Sequence, residues 1–299
     1  MKYPQYLVVL TTSLVFLFIS SSATAQQRSI NLLGVEYGQS LGSDNATDFS
    51  DLSVYTLVPI LTTKNPAIIS FPYFNYASIK HSDLALSSTK FYQIGLPLAI
   101  QTPISSSRNI GGFVIPILSS DLARTDGKNF NIAAALFMGN SSKSKFIFRY
   151  GIYYGFNTNG HILIPAFNFD WKPTESLRIN ANNPLNPKIS YRLSPRYRVG
   201  LEFEYYTKLY NLSSSDSDQY VTNTRALLNP YVDFNITKNI VLNIQGGYAF
   251  QRKIEVFEGV DRGTSWFTGF KDRTPVMSQD HKGWFLKGGL RFEITPSSD

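Results

Sequence analysis

The chain has three histidines, His81, His161 and His281, and any serine-based chemistry would have to use one of them. A serine nucleophile needs such a base within hydrogen-bond reach. His81 is next to Ser82, but adjacent residues on a strand point to opposite faces. A lipid-modifying esterase is therefore the weakest reading, with His161 as its best candidate. Glu202 and Glu204 could share a strand face, as could Asp216 and Asp218 if extended. Paired carboxylates of this kind could activate water, although lumen charge and loop solvation explain them more simply. Cysteine is absent, so with so few histidines no zinc-type ligand spacing exists. Asp44, Asp48 and Asp51 lack the glycine and terminal glutamate of a calcium loop, and read as a solvated loop. The Asn-x-Ser/Thr triplets at Asn45, Asn140, Asn211 and Asn235 read as turns. No glycine-rich phosphate loop opens a helix. The reading is no catalytic residue, no metal site and no cofactor.

Charged residues offer more. Arg149, Arg198, Arg225, Lys287 and Arg291 alternate along the chain with Asp170, Glu202, Glu204, Asp233 and Glu293. A mixed set of this kind can line a pore and set a transverse field. It can equally close a barrel as a salt-bridged plug. The formal net charge of +7 is scattered, so no nucleic-acid surface is expected.

The elements that must carry these charges have a period of two. In Lys145 to Phe156, one face reads Phe146, Phe148, Tyr150, Ile152, Tyr154, Phe156. The other reads Lys145, Ile147, Arg149, Gly151, Tyr153, Gly155. Tyr197, Val199, Leu201, Phe203 and Tyr205 alternate with Arg198, Gly200, Glu202, Glu204 and Tyr206. Segments 240–251 and 284–294 behave alike. Each is close to the 9–11 residues of a tilted membrane strand. A soluble sheet would put mainly charges on its second face. Here that face holds Gly, Asn, Gln, Ala and both charge signs, which suits a crowded barrel interior. Aromatics make up 14% of residues and charged residues only 16%, against roughly 25% charged in soluble domains.

Residues 1–25 read as a secretory signal peptide: Lys2, an apolar stretch from Leu7 to Ile19, then Ala23-Thr24-Ala25. Without cysteine, no acylated lipoprotein can form. Residues 26–299 read as one domain, an all-β, closed antiparallel transmembrane barrel. Strands are expected at 29–39, 50–62, 67–80, 89–102, 109–119, 129–140, 145–157, 161–172, 175–182, 186–193, 196–210, 219–235, 239–253 and 282–295. Long connections fall at 40–49, 81–88, 120–128, 211–218 and 254–281. They alternate with short ones only if 175–193 is two strands, which makes the count about 14, with 12 as the alternative. Pro59, Pro72, Pro97, Pro116, Pro165 and Pro230 sit inside these strands. A closed barrel has no edge to hold them, so they must mark bulges, kinks or water-facing gaps.

The last strand ends Lys287-Gly288-Gly289-Leu290-Arg291-Phe292-Glu293-Ile294. Lys287, Gly289, Phe292 and Ile294 match the terminal-strand signal that barrels present to the assembly machinery, although Thr295 to Asp299 extend past it. Two further motifs are Leu57-Val58-Pro59-Ile60 with Val114-Ile115-Pro116-Ile117, and Phe169-Asp170-Trp171-Lys172-Pro173 leading to Pro187-Lys188-Ile189-Ser190-Tyr191-Arg192. With Arg198 to Tyr205, they give the chain its resemblance to a family of uncharacterised outer-membrane β-barrel proteins of gram-negative bacteria, related in pattern to transport barrels. The resemblance implies the barrel and its location but brings no active site. Outer-membrane lipid, the barrel-assembly machinery and small solutes are the expected partners. Three functions follow in order: a passive channel for small solutes, a structural or surface-interaction barrel with a plugged lumen, and the lipid enzyme. In the second, loops 211–218 and 254–281, with Trp266, Phe267 and Phe270, would make the contacts.

Overall fold

The structure is a computed structural model that describes residues 30–41, 47–61, 65–81, 89–140, 145–157, 160–213, 218–259, 264–266 and 274–294. Of residues 47, 81 and 264–266 only the backbone is described. The expected signal peptide, Asp44, Asp216, Phe267 and Phe270 lie outside the described residues.

Antiparallel strands form the wall. They are β1 (Ile30–Leu41), β2 (Thr47–Thr56 and Val58–Leu61), β3 (Ala67–Ser70 and Tyr73–His81), β4 (Lys90–Gly95 and Leu98–Pro103) and β5 (Arg108–Ser120). Next come β6 (Phe130–Asn140), β7 (Phe146–Asn157), β8 (Gly160–Trp171), β9 (Leu177–Ala181) and β10 (Pro187–Arg192). The last are β11 (Tyr197–Leu212), β12 (Gln219–Asn235), β13 (Ile240–Glu258) and β14 (Met277–Ile294). β14 pairs with β13 on one side and with β1 on the other, from Ile30↔Ile294 to Leu41↔Trp284. The sheet is thereby a closed 14-strand barrel, and the 12-strand alternative falls away. Both ends of the wall, Ile30 and Ile294, lie at one rim, called lower here.

Alternation places the aromatic and aliphatic set outside. Phe148, Tyr150, Ile152, Trp284, Leu286 and Leu290 are exposed, while Ile147, Tyr153, Phe285 and Arg291 between them are buried. An apolar belt around a closed sheet is the surface of a barrel solvated by lipid.

Three expectations are corrected. Of the region 40–49, residues 40, 41 and 47–49 are strand, because β1 runs to Leu41 and β2 starts at Thr47. Asp48 and Asp51 are therefore strand residues rather than members of a solvated loop. The connection expected at 254–281 is shorter, because β13 reaches Glu258 and β14 begins at Met277, and the segment Thr264–Trp266 pairs with β8. Likewise Asn211 and Leu212 belong to β11.

The prolines mark the irregularities. β2, β3 and β4 each break beside one, and across the breaks Thr56 N donates to Pro72 O, Phe71 N to Pro97 O and Leu96 N to Pro116 O, at 3.0–3.1 Å. A proline without an N–H still accepts, so the row of kinks keeps its hydrogen bonds. Register shifts at Pro59, and the β12–β13 ladder skips from Leu228↔Tyr248 to Tyr231↔Gln245 around Pro230. Pro165 pairs with Ile152 of β7.

Close backbone approach sets some glycines. A Cβ on Gly151 of β7 would sit 1.9 Å from the carbonyl oxygen of Leu136 on β6. We expect Gly151→Val to destabilise the barrel by about 1–3 kcal/mol, the usual cost of overpacking. A lowered urea midpoint in detergent would register it; an unchanged midpoint would contradict the close packing.

Candidate functional site

The upper part of the β11–β12 hairpin leans across the mouth, while β12 stays paired with β13 up to Gln219↔Glu258. On the outer face of β11, Tyr197, Val199, Leu201, Phe203 and Tyr205 give way to Thr207, Leu209 and Asn211; on β12, Phe234, Val232 and Leu228 give way to Thr224, Thr222 and Tyr220, so polar groups enter the face. A polar outer face does not suit lipid. Consistently, Thr207 to Leu212 and Tyr220 to Leu227 are buried on both faces. Thr207 and Thr224 join hydroxyls at 2.8 Å. The inner face of this hairpin packs Tyr210, Leu212 and Val221 against Phe49, Ile79 and Phe91 of β2–β4. Its other face meets the top of β5. Asn211 pairs with Ser120, Asp121 N donates to Asn211 O at 3.2 Å, and Ser213 N donates to Asp121 Oδ1 at 3.1 Å. Asn211 Nδ2 donates to the Lys128 carbonyl, and Lys128 pairs with Asp218. The described end of the hairpin, at Ser213 and Asp218, thus lies inside the upper mouth, fixed by a polar latch.

Below it the lumen has two unlike walls. The charged wall runs from β9 through β14 to β1 and β2. Strand register sets its local pairs: Lys188↔Glu202 and Arg198↔Asp233 are direct cross-strand partners, joined at 2.8 and 3.2 Å. Asp233 also accepts from Asn243 at 2.6 Å and from Arg291 at 2.8 Å. Arg291 reaches Glu293 at 3.4 Å. Other pairs join strands that are not neighbours. Lys287 of β14 reaches Glu204 of β11 at 3.1 Å, and Arg225 of β12 reaches Asp51 of β2 at 3.2 Å. The Arg225 guanidinium also lies 3.3 Å from the Phe49 ring centroid. Bonds of this reach cross the interior, so the lumen is narrow there.

The opposite wall, the inner face of β3–β8, is mostly apolar: Tyr73, Ile115, Ala133, Phe137, Tyr153 and Ile162 form one cluster. Among its described residues only Arg149 and Asp170 carry charge, both toward the lower rim. Arg149 donates to Asn168 at 3.4 Å; Asp170 takes a two-pronged grip from Arg178 at 2.8 and 3.1 Å.

All ten charges named from the sequence thus point inward, eight on one wall and two on the other. Alternation alone missed Asp51, Arg178, Lys188 and Lys208. Asp51 sits between Phe49 and Ser53 on one strand face, a pattern masked by treating 40–49 and its border as a loop. In the terminal strand, Lys287 and Gly289 face inward, Phe292 is exposed to the outside and Ile294 closes the β1–β14 seam. His161 lies on the outer face of β8. It shares a 2.7 Å hydrogen bond with the Tyr154 hydroxyl and packs on Phe156, with ring centroids 4.7 Å apart.

The model of a family described as a domain of unknown function (DUF6268) matches residues 62–291. No curated protein matches the sequence. Among solved structures, the chain is similar to a mutant of the TodX monoaromatic hydrocarbon channel, at 8% identity and a TM-score of 0.32, covering 91% of each chain. It is also similar to the outer membrane protease OmpT from Escherichia coli, at 6% identity and a TM-score of 0.21, covering 89% of this chain and 95% of that one.

Proposed function

This chain belongs to the DUF6268 family, and from that premise we propose that it is a transport barrel of the bacterial outer membrane, closed at rest, that passes small solutes through its lumen. The observation that carries the reading is the inward hairpin. A purely structural barrel needs no hairpin folded into its mouth and tied there by Ser120, Asp121 and Lys128. Such polar ties at a rim exchange readily with water, so each is worth about 1 kcal/mol net; opening parts β11 from β5 and from the Phe49 cluster while β12 keeps its ladder with β13. The apolar belt supports a barrel seated in a bilayer, and in this reading Lys287, Gly289, Phe292 and Ile294 present the last strand to the assembly machinery. No catalytic residue, metal or cofactor enters this reading.

The absence of cysteine makes the test clean. Ser120→Cys with Asn211→Cys joins two paired strand positions, a separation a disulfide can span. In planar bilayers the oxidised protein is expected to be silent. Reduction restores occasional openings, and Asp121→Ala, which cuts the latch, multiplies them. The folded barrel should also shift its gel mobility on heating. If no variant conducts at any voltage, the transport reading fails. The surface-interaction barrel then takes its place, favoured by the ion pairs that cross the lumen.

A further inference from the structure

A cavity in the upper mouth collects donors that the ion pairs below it do not use. It lies inside the tops of β14 and β1 and is lined by Ser40, Phe49, Asn223, Arg252, Ile254 and His281, with Gly283 beside them. Its free volume is about 20 Å³. A single water needs about 10–15 Å³ on that measure, so the space takes a group the size of a carboxylate. A Cβ on Gly283 would meet nothing within 4 Å. Gly283 pairs with Ala249, which is buried on the inner face, so its bare side opens into the cavity.

Strand register brings the donors here. The ladder of β13 with β14 shifts between Ala249 and Arg252. Strict alternation from Ala249 would turn Gln251 inward and Arg252 outward. The shift turns Arg252 inward instead, as bulges re-aim side chains. Arg252 then stands directly across from Arg225 of β12. Both guanidinium groups lie over the Phe49 ring, at 3.3 Å from its centroid for Arg225 and 5.7 Å for Arg252. Like charges directly opposite each other destabilise a ladder. Lys208, 5% exposed, is the cross-strand partner of Asn223 and adds a third cation. Against these stand Asp51, bound to Arg225, and Glu204, bound to Lys287, among the described residues. Asp280 accepts from the Arg252 backbone N–H at 3.3 Å rather than from its side chain. Arg252 Nε and Asn223 Nδ2 are both buried with no hydrogen-bond partner. Asn223 is oriented by its other end, since Oδ1 accepts from Arg225 Nε at 3.4 Å. Buried donors left without acceptors are costly. Water could satisfy the donors, but an anion also offsets the facing arginines. Two donors and this volume suit a flat carboxylate, whereas a phosphate brings more oxygens than the site can hold.

We propose that this cavity binds the carboxylate of a small organic acid, held by Arg252 and Asn223 with its apolar body along Phe49 and Ile254, and that such acids are the solutes the barrel admits. This rests on the transport reading above and names its solute class. The test uses the purified full-length protein in detergent, with labelled benzoate as the probe in equilibrium dialysis. Benzoate should bind saturably at one site, and benzyl alcohol, its uncharged counterpart, should not compete. Arg252→Gln and Asn223→Leu should each weaken binding at least about tenfold, the loss of one charge-assisted hydrogen bond. Gly283→Val, which fills the cavity and leaves both donors in place, should abolish binding; it also serves should Arg252→Gln lose its heat-dependent gel shift. Without benzoate, the urea midpoint of Arg252→Gln should equal or exceed that of wild type, because the facing like charges are gone. A lowered midpoint with unchanged benzoate binding would make Arg252 structural and overturn the site. In planar bilayers, benzoate should interrupt the openings of Asp121→Ala and spare those of Asp121→Ala with Gly283→Val. If openings occur and benzoate neither binds nor interrupts them, the site is wrong and transport stands. If benzoate binds as described and no variant conducts, the site stands and the transport reading falls. Competition by benzyl alcohol, or displacement by equimolar chloride, would overturn the carboxylate.

Discussion

Asp233→Ala is expected to be among the most damaging single substitutions in this barrel, costing on the order of 3–5 kcal/mol. Asp233 is 1% exposed and accepts from Arg198, Arg291 and Asn243 at 3.2, 2.8 and 2.6 Å. Removing its carboxylate leaves two guanidinium groups facing each other inside the wall. Among the described residues, Arg291 then keeps Glu293 at 3.4 Å. The cost arises mainly from stranding charges, because a buried ion pair adds little over a well-packed apolar one. Asp233→Asn should fall between the two, since its amide oxygen can still accept while the charge is gone. Urea unfolding in detergent, followed by gel mobility, reads the effect. A midpoint for Asp233→Ala within error of wild type would show that the three contacts are not held together in solution.

Arg225→Ala is expected to act on stability and on the mouth together. Arg225 is 3% exposed, pairs with Asp51 across the interior, and stacks on Phe49. It joins the inward hairpin to β2. Its loss removes a desolvated cation–π contact of about 2 kcal/mol and leaves Asp51 without that partner. The hairpin should loosen, so the variant should open in planar bilayers more often than wild type. Asp51→Ala with Arg225→Ala removes both charges, and its stability should lie above the sum of the two single losses, because the residues are coupled. A double variant as unstable as that sum would mean the pair does not interact.

These expectations rest on features the sequence shows unevenly. The alternation of Phe146 to Phe156 and of Trp284 to Ile294 carries both the strand positions and their inward or outward faces. The physical reason is that a strand repeats every two residues and lipid tolerates only one of its faces. The prolines could be read as breaks, but not as a row. That row depends on Pro72, Pro97 and Pro116 meeting Thr56, Phe71 and Leu96 across strands far apart in the chain. The switch from Phe203 and Tyr205 to Thr207 and Asn211 was visible too, and it marks where β11 leaves the lipid. Its destination was not visible, because β5 lies about 90 residues away and only packing brings Ser119 to Leu209.

By itself, the sequence determined a two-faced strand pattern, a count resolved by loop parity, and an inner face that holds the charges. Those properties are local, since each follows from a residue and its near neighbours. Only the tertiary structure decided which charges meet. Asp51 finds Arg225, and Glu204 finds Lys287, because closing the sheet sets distant strands opposite each other. The division of the lumen into a charged and an apolar wall is likewise a property of strand order around the ring.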